Sequence, residues 1–179
     1  MYAELEKSIR SAFPDFNVVP KSTSRLMRIC NCLLKVLTFG RYKEFMDSMT
    51  TTVGFTIYTP TGWDEWPEMK KAMILRHEAV HMRQAKKYSR PLYYFLYLFF
   101  PVPCVWAYFR MKFEMEAYTE SIKAYAEYRG TRALLADKEM ESRYIEIFTS
   151  YKYLWMWPWK GRISEWFNDV KYTLLCGKI

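Results

Sequence analysis

The chain contains two histidines, and both lie in one segment that has no helix-breaking residue. His77 and His81 are four residues apart within residues 68–88, where neither glycine nor proline occurs. This segment is predicted to be a helix, with Asp64 or a neighbour as its cap and Pro67 at its first turn. Residues four apart share one face of a helix, so both imidazoles are expected to reach the same point.

The composition bounds the rest of the fold. A chain of 179 residues suits one domain, and its 51% apolar and 19% aromatic residues are enough for a hydrophobic core. Glycine is scarce, with 6 residues, and this argues against a turn-rich all-β protein. We predict a single domain over 1–179 that is mainly helical with a small β element, an α+β fold. Its core would be 50–128, preceded by N-terminal helices over 1–40 and followed by a helical, aromatic-rich part over 131–179.

Two helices are predicted in the N-terminal part. The first covers about 4–12 and ends before Pro14. The second covers 25–37, after a Ser-Thr-Ser run at 22–24 that can cap it. Its apolar residues follow helical spacing and are expected to pack on the core, with docking on a membrane surface as the alternative. These residues are Leu26, Ile29, Leu33, Val36 and Leu37.

The later part of the chain alternates apolar segments and helices. Residues 53–58 are β-branched and aromatic, which predicts a strand. Residues 91–109 carry no charge but are interrupted by Pro101 and Pro103, so a buried connection is expected, with a shallow membrane dip or a span as alternatives. Helices are predicted over about 109–128, stopped by Gly130, and over 131–148. An aromatic stretch at 151–159 precedes a final amphipathic helix.

Charge and cysteine usage suggest which partners and which cellular compartment the protein has. The net charge of +8 fits an acidic partner or a membrane surface, but the basic residues form no long tail, which indicates against dedicated nucleic-acid binding. The four cysteines show no CxxC pairing and suggest reduced thiols. Residues 1–10 are polar and do not have the pattern of a signal peptide. A cytoplasmic protein is therefore expected, with membrane association as an alternative.

Residues 77–81 read His-Glu-Ala-Val-His, an HExxH motif within the predicted helix. This spacing is typical of zinc sites in which the two histidines bind the metal. The glutamate after the first histidine, Glu78, can then act as the general base for a zinc-activated water.

A third ligand is expected from the later helix, which carries two candidate carboxylates. Glu116 falls on a charged face with Lys112 and Glu120, whereas Glu114 falls on the opposite, mostly apolar face. A buried carboxylate is costly unless a cation neutralises it, so Glu114 is the preferred ligand and Glu116 the alternative. Tyr118, four residues beyond Glu114, could bond a ligand or stabilise an oxyanion, or simply pack in the core.

These motifs resemble the gluzincin metallopeptidases, in which a glutamate on the next helix completes an HExxH site. Glu114-x-x-Ala117-Tyr118 is similar to their ExxAD segment, with Tyr118 where the family has an aspartate that orients one imidazole. The spacing of Ile57-Tyr-Thr-Pro60, HExxH and the glutamate segment also resembles small uncharacterised metallopeptidases of bacteria and their phages.

The resemblance implies a zincin-like fold, in which a short edge strand precedes the active-site helix and a ligand-bearing helix follows it. The edge strand would pair with an extended peptide substrate through residues such as Val53, Phe55 and Ile57. The expected activity is zinc-dependent peptide hydrolysis. The alternative is a non-catalytic protein in which Zn²⁺ serves only to stabilise the structure. A structural site of this kind is expected to have a fourth protein ligand, whereas a catalytic site leaves that position to water.

Overall fold

The structure is a computed structural model, and it describes residues 2–40, 45–98, 108–150 and 156–177. The chain divides into two compact units, Met1–Glu78 and Ala79–Ile179. Each unit is described by itself. The described residues are mostly helical with one small sheet, which confirms the α+β prediction.

The first unit combines helices with the sheet. Its elements are α1 (Tyr2–Ala12), β1 (Asn17–Pro20), α2 (Arg25–Leu37), β2 (Thr51–Val53), β3 (Thr56–Thr59) and the first half of α3 (Glu68–Lys87). Short 3₁₀ turns occupy Lys21–Thr23 and Trp63–Glu65. The predicted helices α1, α2 and α3 are confirmed to within two residues at each end, because their caps and proline stops are local signals. The N-terminal part is not all helical, however, since β1 follows α1.

The sheet has the order β1-β3-β2, with β1 parallel and β2 antiparallel to β3. The prediction of one edge strand over 53–58 is therefore wrong. Gly54 adopts a positive φ of 64°, a left-handed conformation that glycine adopts at little cost, and with Phe55 it turns the chain into a hairpin. Because β3 is hydrogen-bonded on both sides, the free edge on this side of the sheet belongs to β2.

Helix α2 begins where the sequence predicts, and the Ser24 side chain caps it by accepting a hydrogen bond from the Met27 amide. The prediction that its apolar face packs on the core is wrong. Met27 is buried, but the side chains of Leu26, Ile29, Leu33 and Val36 are all exposed. The amphipathic pattern defined an apolar face correctly, yet in the structure that face is turned to solvent.

The second unit is helical in its described residues. After the second half of α3 come α4 (Arg90–Leu98), α5 (Tyr108–Arg129), α6 (Thr131–Ala136), α7 (Lys138–Thr149) and α8 (Lys160–Leu175). Gly130 ends α5, with a φ of 87°. The prediction of one helix over 131–148 is wrong, because Asp137 interrupts it and caps α7 by accepting a hydrogen bond from the Met140 amide.

The core of the second unit is built around α5. Ile122 and Ala126 of α5 pack with residues of α6, α7 and α8, and Met111 and Met115 pack with Phe148 and Ile163. A smaller aromatic cluster joins Tyr93 of α4 to Phe113 of α5 and Ala85 of α3. These contacts hold α4 and α5 against the end of α3, and this arrangement determines where the side chains of α5 point.

The uncharged segment 91–109 lies partly outside the described residues, which stop at 98 and resume at 108. Its first part forms α4, whose Tyr93 is buried while Leu92 and Phe95 are exposed. Among the described helices, none combines the length and the apolar character that crossing a membrane requires. The aromatic stretch 151–159 is likewise described only from Met156 onward, and Met156 is fully buried.

Candidate metal centre

Helix α3 carries both histidines and continues without interruption through them. Residues 77 and 81 are one helical turn apart, so their imidazoles project from the same face. His81 is buried and His77 is partly exposed. This part of α3 is buried as a whole, since Val80, Met82 and Ala85 are buried as well.

The structure brings three of the sequence-predicted site residues together. Donor atoms of His77, His81 and Glu114 all lie within 4.8 Å of one another. Glu114 is 4% exposed, whereas Glu116 is exposed and is not part of this group. The distinction follows from helical phase, since residues two apart on α5 point in nearly opposite directions.

The side chain of Gln84 fixes the orientation of the His81 ring. Its amide nitrogen Nε2 donates to the backbone oxygen of Phe113 at 3.1 Å and to Glu116 Oε2 at 2.9 Å. Both partners are acceptors only, so the amide oxygen must be the atom that faces His81 Nδ1, at 2.9 Å. The Nδ1 atom therefore carries a proton, and the Nε2 atom of a neutral His81 is left as a lone-pair donor.

That lone pair faces a carboxylate. His81 Nε2 lies 3.6 Å from Glu114 Oε1, and both groups are buried. Two acceptors at this distance repel each other unless a proton or a cation lies between them. A proton on His81 would satisfy this pair alone, whereas a divalent cation would also use the nearby His77. Two imidazoles and one carboxylate match the donor set of many catalytic zinc sites, so the residues present fit the metal.

Tyr97 of α4 donates a hydrogen bond from its hydroxyl to Glu114 Oε1. Burial, reinforced by the negative charge of Glu114, raises the pKa of Tyr97 well above its usual range. The hydroxyl therefore remains protonated and acts as a donor. Arg110 lies over the Tyr97 ring, 5.2 Å from its centroid, and its positive charge opposes part of this increase. Tyr97 thus holds the carboxylate in place, as neighbouring donors commonly do for metal ligands.

The HExxH glutamate, Glu78, directly follows His77 on α3 and is held by contacts within the first unit. Glu78 is 7% exposed and accepts a hydrogen bond from Thr50 Oγ1 at 3.1 Å. Lys21 is also buried and donates to the backbone oxygens of Phe45 and Met49 at 2.6 and 2.7 Å. Burial lowers the pKa of Lys21 to about 8, and the negative charge of Glu78 partly opposes the decrease.

The remaining sequence-predicted residues lie elsewhere. The Tyr118 ring packs against Tyr144 and Phe148, at centroid distances of 5.3 and 5.7 Å. Val53 ends the edge strand β2 with its side chain exposed, and Ile57 is fully buried in the central strand β3. Phe55 lies in the hairpin turn and stacks near Phe13. Ile57 therefore offers no free backbone edge to a substrate.

Sequence reasoning missed the two residues that hold the ligands. Gln84 lies three residues beyond His81 on the same face of α3, but the HExxH motif gives it no role. Its position at i+3 was the available signal, because side chains at that spacing are neighbours on a helix. Tyr97 gave no comparable signal, since it reaches Glu114 from a different helix through tertiary packing.

The second unit also contains an open cavity of about 580 Å³ beside α5. It is lined mainly by aromatic and charged side chains, including Tyr108, Lys112, Glu116, Arg162 and Trp166. None of the three candidate ligands lines it. The cavity therefore lies on the opposite side of α5 from the Glu114 carboxylate.

No protein-family model, curated protein or solved structure matches this chain. What the chain does must therefore be inferred from its side chains and their geometry.

Proposed function

We propose that this chain is a zinc-dependent peptidase. The observation that carries the proposal is the grouping of donor atoms of His77, His81 and Glu114 within 4.8 Å. A site of three protein donors leaves a position for water, whereas structural zinc sites usually have four. Among the described residues, the group has three donors, which favours a hydrolytic role over a structural staple.

The chemistry is divided between the metal and the chain. Zinc, when bound, would lower the pKa of a water molecule and polarise the substrate carbonyl. Glu78 is the general base: its carboxylate accepts the proton of the attacking water and returns it to the nitrogen of the leaving amine. The hydrogen bond from Thr50 restrains the Glu78 carboxylate and so limits the orientations in which it can accept that proton.

The resemblance to gluzincins is part of the proposal, except that a different residue orients the imidazole. In that family an aspartate on the glutamate helix orients an imidazole, and this chain has Tyr118 at the corresponding position. Here Gln84 performs the orienting task for His81, and Glu116 in turn accepts from Gln84. Although Tyr118 replaces the family's aspartate on α5, a residue of α3, Gln84, therefore still orients the His81 ring.

An extended peptide is the substrate that the sheet suggests. Strand β2 lies at the edge of the described sheet, and the outward-facing backbone groups of an edge strand can form hydrogen bonds with a peptide in extended conformation. The side chain of Val53 is exposed at the end of this edge. Peptide binding is therefore assigned to β2 rather than to the buried Ile57.

The test is cleavage of a mixed peptide library by the zinc-loaded protein. We expect cleavage that a chelator abolishes and added zinc restores. In Glu78→Gln the turnover should fall about 100-fold to 10,000-fold, because general-base catalysis contributes that much, while bound zinc is unchanged. The matched control is Glu68→Gln, an exposed glutamate at the start of the same helix, which should cleave like the wild type.

Two results would contradict the proposal. One is wild-type turnover in Glu78→Gln. The other is a stoichiometric zinc complex that cleaves no peptide, which would indicate the structural alternative, especially if removing zinc unfolds the protein.

A further inference from the structure

Helix α2 presents an apolar stripe to solvent. Each of the side chains Leu26, Ile29, Leu33 and Val36 is about half exposed or more, and Phe39, just beyond the helix, is 94% exposed. Apolar residues scattered singly on a surface are normal, but a contiguous row of them marks an interaction surface.

The stripe follows directly from helical phase. At 100° per residue, the four exposed helix residues fall within an arc of about 80°. Met27 and Leu34 lie on the other side of the helix, where Met27 is buried in the first unit. Helix α2 is therefore held by one apolar face and leaves a second apolar face uncovered.

Basic residues border this stripe on one side. Arg25 lies at its edge, and Arg28 and Lys35 lie next to Arg25 around the helix, all three exposed. The surrounding sequence has the same character, since residues 16–43 contain six lysines and arginines and no aspartate or glutamate. The surface of α2 is therefore both apolar and positively charged.

We infer that α2 is a membrane-docking helix that binds the headgroup region of an anionic lipid bilayer. A helix with an apolar stripe and basic residues beside it lies in the plane of the interface, with the stripe among the acyl chains and the cations at the headgroups. Its 13 residues are too few to span a bilayer, so the helix would lie on the surface rather than cross it. Phe39, two residues beyond the end of the helix, adds a further exposed apolar side chain to this segment.

Charge complementarity favours lipid over a second copy of this chain. In a twofold dimer the same surface meets itself, which would bring Arg25, Arg28 and Lys35 of each copy close to those of the other. The segment supplies no carboxylate to neutralise them, because residues 16–43 have none. An anionic bilayer neutralises all three cations at once.

The experiment is sedimentation of the full chain with vesicles. Vesicles of phosphatidylcholine alone are compared with vesicles in which about a third of the lipid is phosphatidylglycerol. We expect binding to the anionic vesicles, weakening as salt is added, and at least tenfold weaker binding to the neutral ones.

Substitutions then separate the two contributions. Leu33→Gln should weaken binding to anionic vesicles roughly tenfold or more, because it removes apolar surface that would enter the bilayer. The double substitution Arg28→Gln with Lys35→Gln should weaken it about 30-fold. The matched controls are Leu135→Gln and the pair Arg132→Gln with Lys138→Gln, exposed residues of the second unit that should leave binding unchanged.

Three results would overturn the inference. The first is equal binding to neutral and anionic vesicles or to neither. The second is equal loss of binding in the α2 variants and their controls. The third is a dimer in light scattering that Leu33→Gln converts to a monomer, which would identify a second copy as the occupant. Circular dichroism of each variant checks that α2 and the remaining helices are formed.

Discussion

The His81 ring is held by a glutamine whose own orientation is fixed by two acceptors. Gln84 is 2% exposed, so its hydrogen bond to the Phe113 carbonyl is sheltered from water, and its amide also donates to the exposed Glu116. Replacing it by methionine keeps the side-chain volume but removes the amide. We expect zinc affinity to fall about 10-fold to 100-fold in Gln84→Met, because supporting residues of metal ligands contribute that much. Competition with a chromophoric chelator measures the affinity.

The control for this substitution is the preceding residue. Arg83 is exposed on the far side of α3, so Arg83→Met should bind zinc like the wild type. Equal zinc affinity in Gln84→Met and Arg83→Met would show that Gln84 does not orient a metal ligand. The loss of a buried hydrogen-bond partner should also destabilise Gln84→Met by about 1–3 kcal/mol, which urea unfolding can measure separately.

Lys21 makes the stability of the first unit depend on pH. Its pKa is about 8 in the folded protein, against an ordinary value of 10.5. Between these values the unfolded chain holds the proton and the folded chain does not, so stability rises with pH. This side chain should add about 2 kcal/mol to the free energy of unfolding between pH 8 and pH 10. Urea unfolding at several pH values in this range measures it.

The contribution of Lys21 is isolated by comparing how the free energy of unfolding changes with pH in two lysine variants. In Lys21→Met the rise should be absent, although the protein is less stable throughout because two backbone oxygens lose their donor. Lys7→Met, at an exposed lysine of α1, should keep the wild-type rise. The same pH dependence in both variants would mean that Lys21 titrates as it does in water.

At the scale of single residues, the sequence predicted what helical phase determines. Phase separates Glu114 from Glu116, and the structure places Glu114 in the buried group of donors. Phase cannot predict that Tyr97 of α4 reaches the same carboxylate, because that contact depends on how two helices pack. It also cannot predict a buried lysine such as Lys21, whose partners are backbone oxygens 24 and 28 residues away.

Among the elements, α2 depends most on its cap. Ser24 Oγ accepts from the Met27 amide at 3.3 Å, and few side chains of α2 are buried. Removing the cap in Ser24→Ala should destabilise the helix by about 1 kcal/mol. We expect amide hydrogen exchange in α2 to accelerate about fivefold, with no change in α5.

Ser22 provides the control, because it is exposed and precedes the helix. Ser22→Ala should leave exchange in α2 unchanged. If exchange in α2 is equally fast in both variants, the start of this helix is not determined by the Ser24 side chain.

The elements show where local signals are sufficient. Local signals such as proline, the Ser24 cap and Gly130 predict the bounds of α1, α2, α3 and α5 to within two residues, since each signal acts on its own neighbours. The sequence did not predict the hairpin at Gly54 or the helix break at Asp137. Glycine and aspartate also occur inside strands and helices, so neither residue type alone marks a turn or a break. The exposure of α2 was missed for another reason: periodicity defines an apolar face but does not state what covers it.

At the scale of the whole molecule, the sequence predicted a mainly helical chain with a small sheet. It did not predict that the described residues form two compact units, Met1–Glu78 and Ala79–Ile179. The single domain remains a prediction. No local pattern marks such a division, because the division falls inside an uninterrupted helix, α3, which contains neither glycine nor proline.

The central claim is that His77, His81 and Glu114 hold one divalent metal ion. Its most direct test is the zinc content of the purified protein beside that of Glu114→Gln and Glu116→Gln, measured by mass spectrometry of the metal. We expect about one zinc per chain in the wild type, retention in Glu116→Gln, and loss in Glu114→Gln, because an amide is a poorer and uncharged ligand. A wild type without zinc, or equal zinc in the two variants, would contradict the account.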